Sequence, residues 1–178
     1  RMGRGIAMAY ALRGHAVAIV DFKSRDAQAF EALRQSAMHE LRLTLQQLAD
    51  LGSVSADQID SCLGLISVHP LGEAAQVLGV AEIIFEGVPE TLDAKRDALG
   101  RLGELANPKA LIASTTSTML ASDLAPMVSQ PKRFMNAHWL NPAYIIPLVE
   151  VSPHDGTDPD AVDRLLQSLE SIGKVPVR

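Results

Sequence analysis

The stretch AVAIVD, residues 16–21, is a short continuous apolar run that ends in a carboxylate. Such a run predicts a buried strand, and in a parallel sheet the residue at its carboxyl end, Asp21, lies on the ligand side. Small and apolar residues from Ile6 to Leu12 predict a helix before this strand, and Gly14 suits the end of that helix. A helix that leads directly into a buried strand is half of a βαβ unit.

Apolar periodicity extends this alternation along the rest of the chain. Helices are predicted at residues 27–51, at 57–63 with Ser55 as N-cap, at 89–106 with Pro89 at its start, and at 160–172. Strands are predicted at residues 65–68, 80–85, 110–113, 134–139, 147–151 and 174–178. The alternation predicts an α/β fold, a Rossmann-like, doubly wound and mostly parallel sheet in one domain over residues 1–178. The helix at 27–51 is a long helical insertion after what would be the second strand of that fold.

Length and composition suit one domain and argue against several classes of protein. The 178 residues are 47% hydrophobic and 21% charged, which allows a real core. The net charge of -5 and the scattered lysines and arginines argue against a nucleic-acid partner. No apolar stretch approaches the roughly 18 residues of a membrane span, and no signal peptide is predicted. The single cysteine, Cys62, excludes an internal disulfide and no metal site is predicted, so we expect a reducing, cytoplasmic location.

For this fold, both ends of the chain are expected to be incomplete. Residues 1–5, RMGRG, run directly into the first helix with no strand before them, and residues 174–178 begin a strand that stops abruptly. We expect that a first strand precedes this sequence, and that further residues of the protein are missing at both ends.

Two residues near the start fit a dinucleotide-binding turn. Gly3 lies where the third glycine of a G-x-G-x-x-G fingerprint would open the helix, and Asp21 lies near the spacing of the acid that binds the adenosine ribose. A carboxylate at that position repels a 2′-phosphate, so the pattern favours NAD over NADP. A packing glycine and a solvated strand-end aspartate are the plain alternatives, and from these residues alone both stay open.

A histidine and a carboxylate in two later strands form a candidate acid–base pair. Glu150 lies between Val149 and Val151, so its side chain is expected to be partly buried and to need a partner, for which His138 is a candidate. A carboxylate that holds one imidazole nitrogen raises the basicity of the other, as a general base for an alcohol requires. A hydrogen-bonded core histidine and a surface glutamate fit these residues at least as well.

A hydroxyl-rich run, STTST at residues 114–118, follows the strand predicted at 110–113. A loop at the carboxyl edge of a sheet would face a ligand. Most clusters of this kind only serve turns and N-caps, so both interpretations stay open.

Three motifs, taken in order, resemble the NAD-binding domain of the L-3-hydroxyacyl-CoA dehydrogenase family: EGVPE at 86–90, ASTTST at 113–118 and AHWLNPAYIIPLVEV at 137–151. The resemblance covers essentially the whole chain, and the ordered set is highly specific. The cofactor-binding residues that it implies are Gly3 at the pyrophosphate, Asp21 at the adenosine ribose, Glu90 and Lys95 in and after the EGVPE motif, and Asn141 at the nicotinamide side. The catalytic residues that it implies are His138 as base, Glu150 as the carboxylate paired with it, and Ser117 as the serine that hydrogen-bonds the reacting substrate oxygen.

The resemblance also implies a reaction and an assembly. NAD is the implied cofactor, and His138 would remove the proton of the substrate's 3-hydroxyl while hydride passes from C3 to the nicotinamide ring. Ser117 would stabilise the charge that develops on the oxygen. The small-molecule substrate would be a 3-hydroxyacyl-CoA such as 3-hydroxybutyryl-CoA, in fatty acid metabolism. The full-length protein would be a homodimer, with a C-terminal helical domain that this chain lacks.

The resemblance also leaves an alternative substrate. Acyl-CoA members tend to carry a lysine in the long helix after the ribose acid, whereas residues 27–51 have no lysine, only Arg34 and Arg42. Residues 51–67 and 141–154 are more similar to the λ-crystallin and L-gulonate 3-dehydrogenase branch, of which carnitine dehydrogenase is a nearby relative. A free 3-hydroxy acid, L-gulonate or carnitine, is therefore the competing substrate.

Two further classes of protein were weighed against an enzyme of this family. The λ-crystallin branch shows that the scaffold can serve as a non-catalytic NAD(H)-binding protein, but the presence of both His138 and Glu150 argues against that role here. A short-chain dehydrogenase would carry a Tyr-x-x-x-Lys pair. The two tyrosines are instead followed four positions later by Gly14 and Leu148.

Overall fold

Strands and helices alternate along residues 2–178, which are the residues that the computed structural model describes. They divide into two units, residues 3–74 and residues 75–178, each described by itself below. The prediction of a single domain over the whole chain stays a prediction.

The first unit contains one two-stranded parallel sheet, three α-helices and a short 3-10 helix at Leu71–Glu73. Its elements are α1 (Met2–Ala11), β1 (Val17–Val20), α2 (Ala27–Asp50), α3 (Gln58–Gly64) and β2 (Ile66–His69). β1 pairs with β2 from Val17 opposite Ile66 to Val20 opposite His69. Gly14 follows α1 with a φ of 85°, a backbone conformation that glycine adopts without strain, as predicted for a helix end. No helix within residues 2–178 is both long and apolar enough to cross a membrane.

The second unit contains a five-stranded sheet. Its elements are α4 (Ala74–Leu78), β3 (Ile83–Glu86), α5 (Leu92–Leu105), β4 (Leu111–Ser114), α6 (Ala121–Leu124), β5 (Phe134–Trp139), β6 (Leu148–Pro153), α7 (Pro159–Ser171) and β7 (Val175–Val177). The strand order is β3-β4-β5-β6-β7, and within it only the β5–β6 pair is antiparallel. The predicted α/β fold with a mostly parallel, Rossmann-type sheet is confirmed.

Large apolar side chains pack on this five-stranded sheet. Trp139 at the end of β5 is 1% exposed, and its ring meets Phe85 of β3 edge to face, with 5.5 Å between the centroids. Leu165 and Leu169, four residues apart on α7, are both fully buried. Truncating side chains of this size in a core typically costs about 2–5 kcal/mol. The sheet is therefore a stable platform for the residues that follow its strands.

The two helices for which a start residue was predicted, Ser55 and Pro89, begin at other residues. Ser55 is not the N-cap of α3, because the helix begins only at Gln58; the backbone N–H and the hydroxyl of Ser55 both donate to the side-chain oxygen of Gln58, at 2.9 and 3.0 Å. Asp57 occupies the cap position, but its side chain makes no capping bond to the helix. Pro89 does not start α5. The hydroxyl of Thr91 accepts from the N–H of Ala94 at 3.4 Å and caps a helix that begins three residues after the proline.

The strand predicted at 80–85 begins later than expected. The N–H groups of Gly79, Val80 and Ala81 bond back to carbonyls of α4, a short helix that the sequence analysis missed. Because these N–H groups are used to end α4, β3 starts only at Ile83.

Candidate active site

A histidine and a glutamate face each other across the β5–β6 pair. His138 is directly opposite Glu150 in the antiparallel register, and its Nδ1 lies 2.7 Å from the carboxylate Oε2. The two side chains are 29% and 51% exposed. The expectation that Glu150 is partly buried is therefore wrong. Side chains alternate along β6, so Val149 and Val151 lie on the buried face and Glu150 lies on the exposed one.

The pair leaves one imidazole nitrogen available. A carboxylate only accepts hydrogen bonds, so the neutral form of the His138 imidazole donates its Nδ1–H to Glu150 and has its lone pair on Nε2. Nε2 makes no hydrogen bond to any residue from 2 to 178. The arrangement holds the ring in one orientation and presents a basic nitrogen to the surroundings, as a general base requires.

The hydroxyl-rich loop after β4 wraps around the carboxylate of Glu90. This carboxylate accepts the backbone N–H of Ser117 at 2.6 Å, the Ser117 hydroxyl at 2.9 Å and the hydroxyl of Thr116 at 2.5 Å. Thr118 adds its N–H at 3.2 Å and its hydroxyl at 3.3 Å. The bond from the Thr116 hydroxyl, followed by those from Ser117, lowers the pKa of Glu90 to about 2. Glu90 is thus an anion that holds the loop in place.

This contact defines the state of the Ser117 hydroxyl. Its hydrogen is donated to Glu90, so its oxygen keeps lone pairs that can accept a hydrogen bond from an alcohol. To donate to a negatively charged oxygen instead, Ser117 must rotate away from Glu90. The structure therefore brings two predicted site residues, Glu90 and Ser117, into direct contact.

Beneath that loop lies a buried ion pair. The ammonium of Lys95 on α5 contacts both carboxylate oxygens of Glu86, each at 2.9 Å, and neither side chain exceeds 1% exposure. Ser114 at the end of β4 donates to Glu86 at 2.7 Å, and the N–H of Val88 donates to it at 2.6 Å. The cluster joins the carboxyl ends of β3 and β4 to α5. Every charge in it is paired, as burial of charges demands.

The position of Lys95 bears on its predicted role. Its ammonium has no exposed area, so contact with a cofactor would require this cluster to open. Lys95 therefore remains a cofactor-contacting residue by prediction only. Its partners Glu86 and Ser114 were not predicted from the sequence. The sequence does carry a signal that Lys95 is buried and needs a partner. Its spacing places it on the same helix face as Ala98, Leu99 and Leu102, which are buried.

A second buried lysine, Lys174, forms hydrogen bonds with the loop that carries Asn141. Lys174, just before β7, is 8% exposed and donates to the carbonyls of Ala143 at 2.6 Å and Ile146 at 2.9 Å. Its Nζ also lies 5.7 Å from the centre of the Trp139 ring. Asn141 itself is exposed on this loop. The sequence prediction treated Lys174 only as the start of a strand.

The two predicted residues of the first unit lie at helix and strand ends. Gly3 is exposed in the first turn of α1, and a Cβ added to it would meet nothing within 4 Å. Packing inside the unit therefore does not explain the glycine. Asp21 directly follows β1, and its N–H donates to the carbonyl of His69 on β2 at 2.9 Å. Its carboxylate accepts Nε of Arg25 at 2.5 Å and the N–H of Lys23 at 3.3 Å.

Fold and site together define a dinucleotide-binding domain of the dehydrogenase type, and comparison with known proteins identifies the family. A model of the 3-hydroxyacyl-CoA dehydrogenase NAD-binding domain matches residues 1–178. The chain belongs to this family, and NAD is the cofactor of the matched domain.

The similar proteins include a lambda-crystallin, an L-carnitine dehydrogenase and a 3-hydroxybutyryl-CoA dehydrogenase. Rabbit (Oryctolagus cuniculus) lambda-crystallin is 37% identical over 183 residues, covering 99% of this chain and 53% of the rabbit protein. L-carnitine dehydrogenase from Pseudomonas aeruginosa is 38% identical over 102 residues, covering 57% of this chain and 32% of that protein. The crystal structure of (S)-3-hydroxybutyryl-CoA dehydrogenase from Ralstonia eutropha superposes with a TM-score of 0.88 at 26% identity, covering 99% of this chain and 59% of that one. The chain thus spans about half the length of lambda-crystallin.

Proposed function

We propose that the complete protein is an NAD-dependent oxidoreductase that acts on the C3 hydroxyl of a 3-hydroxyacyl-CoA. The observation that carries this proposal is the cross-strand pair of His138 and Glu150, with its free Nε2. The family match supports it, because the matched model is that of a 3-hydroxyacyl-CoA dehydrogenase.

His138 is the proposed general base. Its Nε2 accepts the proton of the substrate hydroxyl, and the imidazolium so formed is stabilised by the Glu150 carboxylate at Nδ1. A base of this kind typically contributes about 10²–10⁴-fold to the rate. NAD, when bound, supplies the hydride acceptor for C3 of the substrate.

Ser117 is the proposed partner of the substrate oxygen. In the alcohol state of the substrate, its oxygen accepts a hydrogen bond while its own hydrogen stays on Glu90. In the ketone state, Ser117 rotates and donates to the carbonyl oxygen, as oxyanion donors do. Glu90 then acts as a positioning residue that returns the hydroxyl to the same place.

The residues of the first unit fit the remote end of NAD. The open space around Gly3 leaves room for close approach to the start of α1, where helix N–H groups favour a pyrophosphate. The Asp21 carboxylate at the end of β1 suits the two hydroxyls of the adenosine ribose. Asn141 is proposed at the nicotinamide side, on the loop that Lys174 holds.

A free 3-hydroxy acid is the second candidate substrate. Residues 27–51, which contain α2, have no lysine to meet the CoA moiety, and L-carnitine dehydrogenase is among the relatives. A non-catalytic role, which the similarity to lambda-crystallin raises, is less well supported. A protein with only a structural role does not require a histidine such as His138, which has one nitrogen bonded to Glu150 and the other unbonded.

The test is a substrate comparison on the complete protein, followed by the absorbance of NADH. Acetoacetyl-CoA with NADH is compared with L-gulonate and with carnitine, each with NAD. Turnover of acetoacetyl-CoA supports the acyl-CoA proposal, and turnover of only a free acid moves the protein to the second candidate. An absence of turnover with all three, in a preparation that binds NADH, would contradict both and favour the non-catalytic role.

A further inference from the structure

The loop between β1 and α2 holds an ion pair that the ribose-binding role of Asp21 does not explain. Nε of Arg25 lies 2.5 Å from Oδ2 of Asp21. The Asp21 side chain is 15% exposed and that of Arg25 is 30% exposed. A guanidinium therefore lies directly beside the carboxylate that is proposed to select between NAD and NADP.

The guanidinium uses only part of its donor set on Asp21. The bond is made by Nε, and the two terminal amino groups of Arg25 make no hydrogen bond to any residue from 2 to 178. These groups carry four of the five N–H donors of an arginine, in the planar geometry that matches a phosphate. Their charge is offset by Asp21 as long as that carboxylate is present.

We propose that Arg25 is a specificity-determining residue, a latent 2′-phosphate binder that the Asp21 carboxylate keeps neutralised. The inference rests on the proposed role of Asp21 at the adenosine ribose. In the natural protein, Arg25 holds Oδ2 and leaves Oδ1, which has only a long bond from Lys23, for the ribose hydroxyls. A 2′-phosphate is rejected because it would meet the negative charge of Asp21, which also offsets the charge of the Arg25 guanidinium.

The proposal predicts the result of removing only the negative charge. Asp21→Asn keeps the side-chain shape and an oxygen for the Lys23 N–H, but it frees the Arg25 charge. A guanidinium that gains a phosphate forms charge-assisted hydrogen bonds, so NADPH affinity should rise about 10- to 100-fold. NADH affinity should fall about tenfold, because the ribose loses an ionised acceptor.

A second arginine of the same unit provides a matched control. Arg34 on α2 also pairs with a carboxylate, Glu31, at 2.6 Å, and its side chain is 45% exposed. Asp21→Asn combined with Arg25→Gln and Asp21→Asn combined with Arg34→Gln have the same net charge. They differ only in whether the positive charge is removed beside Asp21 or elsewhere.

The experiment measures NADH and NADPH binding by fluorescence titration of the complete protein and these variants. The proposal expects the NADPH gain of Asp21→Asn to persist with Arg34→Gln and to be lost with Arg25→Gln. A gain that survives Arg25→Gln would overturn the proposal, since relief of repulsion alone would explain it. Unchanged affinities in Asp21→Asn would overturn it as well. Binding needs no 3-hydroxy substrate, so these outcomes are separate from a failure of the proposed dehydrogenase activity.

Discussion

Two histidine–glutamate pairs in this molecule have nearly the same geometry and different surroundings. His138 and His69 each place Nδ1 2.7 Å from a glutamate oxygen, of Glu150 and Glu73 respectively. The exposures of the two pairs also match, at 29% and 51% for the first and 25% and 52% for the second. The pair geometry by itself therefore does not mark a catalytic site.

The difference lies at the other ring nitrogen. Nε2 of His69 lies 2.8 Å from the hydroxyl of Ser67, whereas Nε2 of His138 has no hydrogen bond to any residue from 2 to 178. His69 is thus satisfied on both sides within one strand and the turn that follows it. His138 is held on one side only, and this free nitrogen is what a base needs.

The largest expected effect comes from the buried ion pair of Lys95 and Glu86, which joins α5 to the sheet that carries His138. Lys95→Met leaves the Glu86 charge buried and unpaired, which should lower the free energy of unfolding by about 3–5 kcal/mol. Urea denaturation followed by circular dichroism measures this loss. Lys95→Met combined with Glu86→Gln removes both charges and should recover part of it. A single variant as stable as the natural protein would show that the pair does not support the sheet.

The next effect separates the two histidine pairs. Glu150→Gln should lower kcat about 10²-fold, because the amide no longer stabilises the imidazolium of His138. This loss is less than the roughly 10⁴-fold seen for the buried aspartate of a Ser–His–Asp triad, since Glu150 is half exposed. Glu73→Gln is the matched control and should leave kcat unchanged. Equal losses of kcat in Glu150→Gln and Glu73→Gln would contradict the conclusion that the unbonded Nε2 distinguishes His138 from His69.

The smallest effect concerns the anion that positions Ser117. The pKa of Glu90 is lowered to about 2 from an ordinary value of 4.5, so its contribution to stability is present above about pH 4.5 and is lost as the pH falls towards 2. Glu90→Gln lacks this contribution. Its stability should fall below that of the natural protein at pH 6, and the gap should close on acidification. Urea midpoints measured across this pH range test the prediction, with Glu104→Gln on α5 as control. A gap that is independent of pH would contradict it.

Most of the fold was predictable because its strands are short apolar runs with clear ends. The strand at 134–139 has the predicted bounds, and the long helix α2 differs by one residue. Helix starts were less predictable. Ser55 has the chemistry of an N-cap, but α3 begins only at Gln58, and the Ser55 hydroxyl donates to the Gln58 side chain instead of accepting a helix N–H.

The residues of the candidate site were named from the sequence and their roles stay predictions, whereas their contacts were not predictable. Residue patterns left the His138–Glu150 pair undecided, because only the register of β5 and β6 brings the two side chains opposite each other. The contacts of Lys95 and Lys174 also depend on distant segments, from the end of β3 to the loop after β5. Such long-range contacts leave little local signal in a single sequence.

The most direct test of the central claim compares the two histidines in one assay. His138→Gln and His69→Gln are made in the complete protein, and kcat and NADH affinity are measured on the same preparations with the substrate that the comparison above identifies. We predict that His138→Gln lowers kcat by about 10²–10⁴-fold with little change in NADH affinity, and that His69→Gln changes neither. Unchanged turnover in His138→Gln, or an equal loss in His69→Gln, would contradict the assignment of His138 as the base.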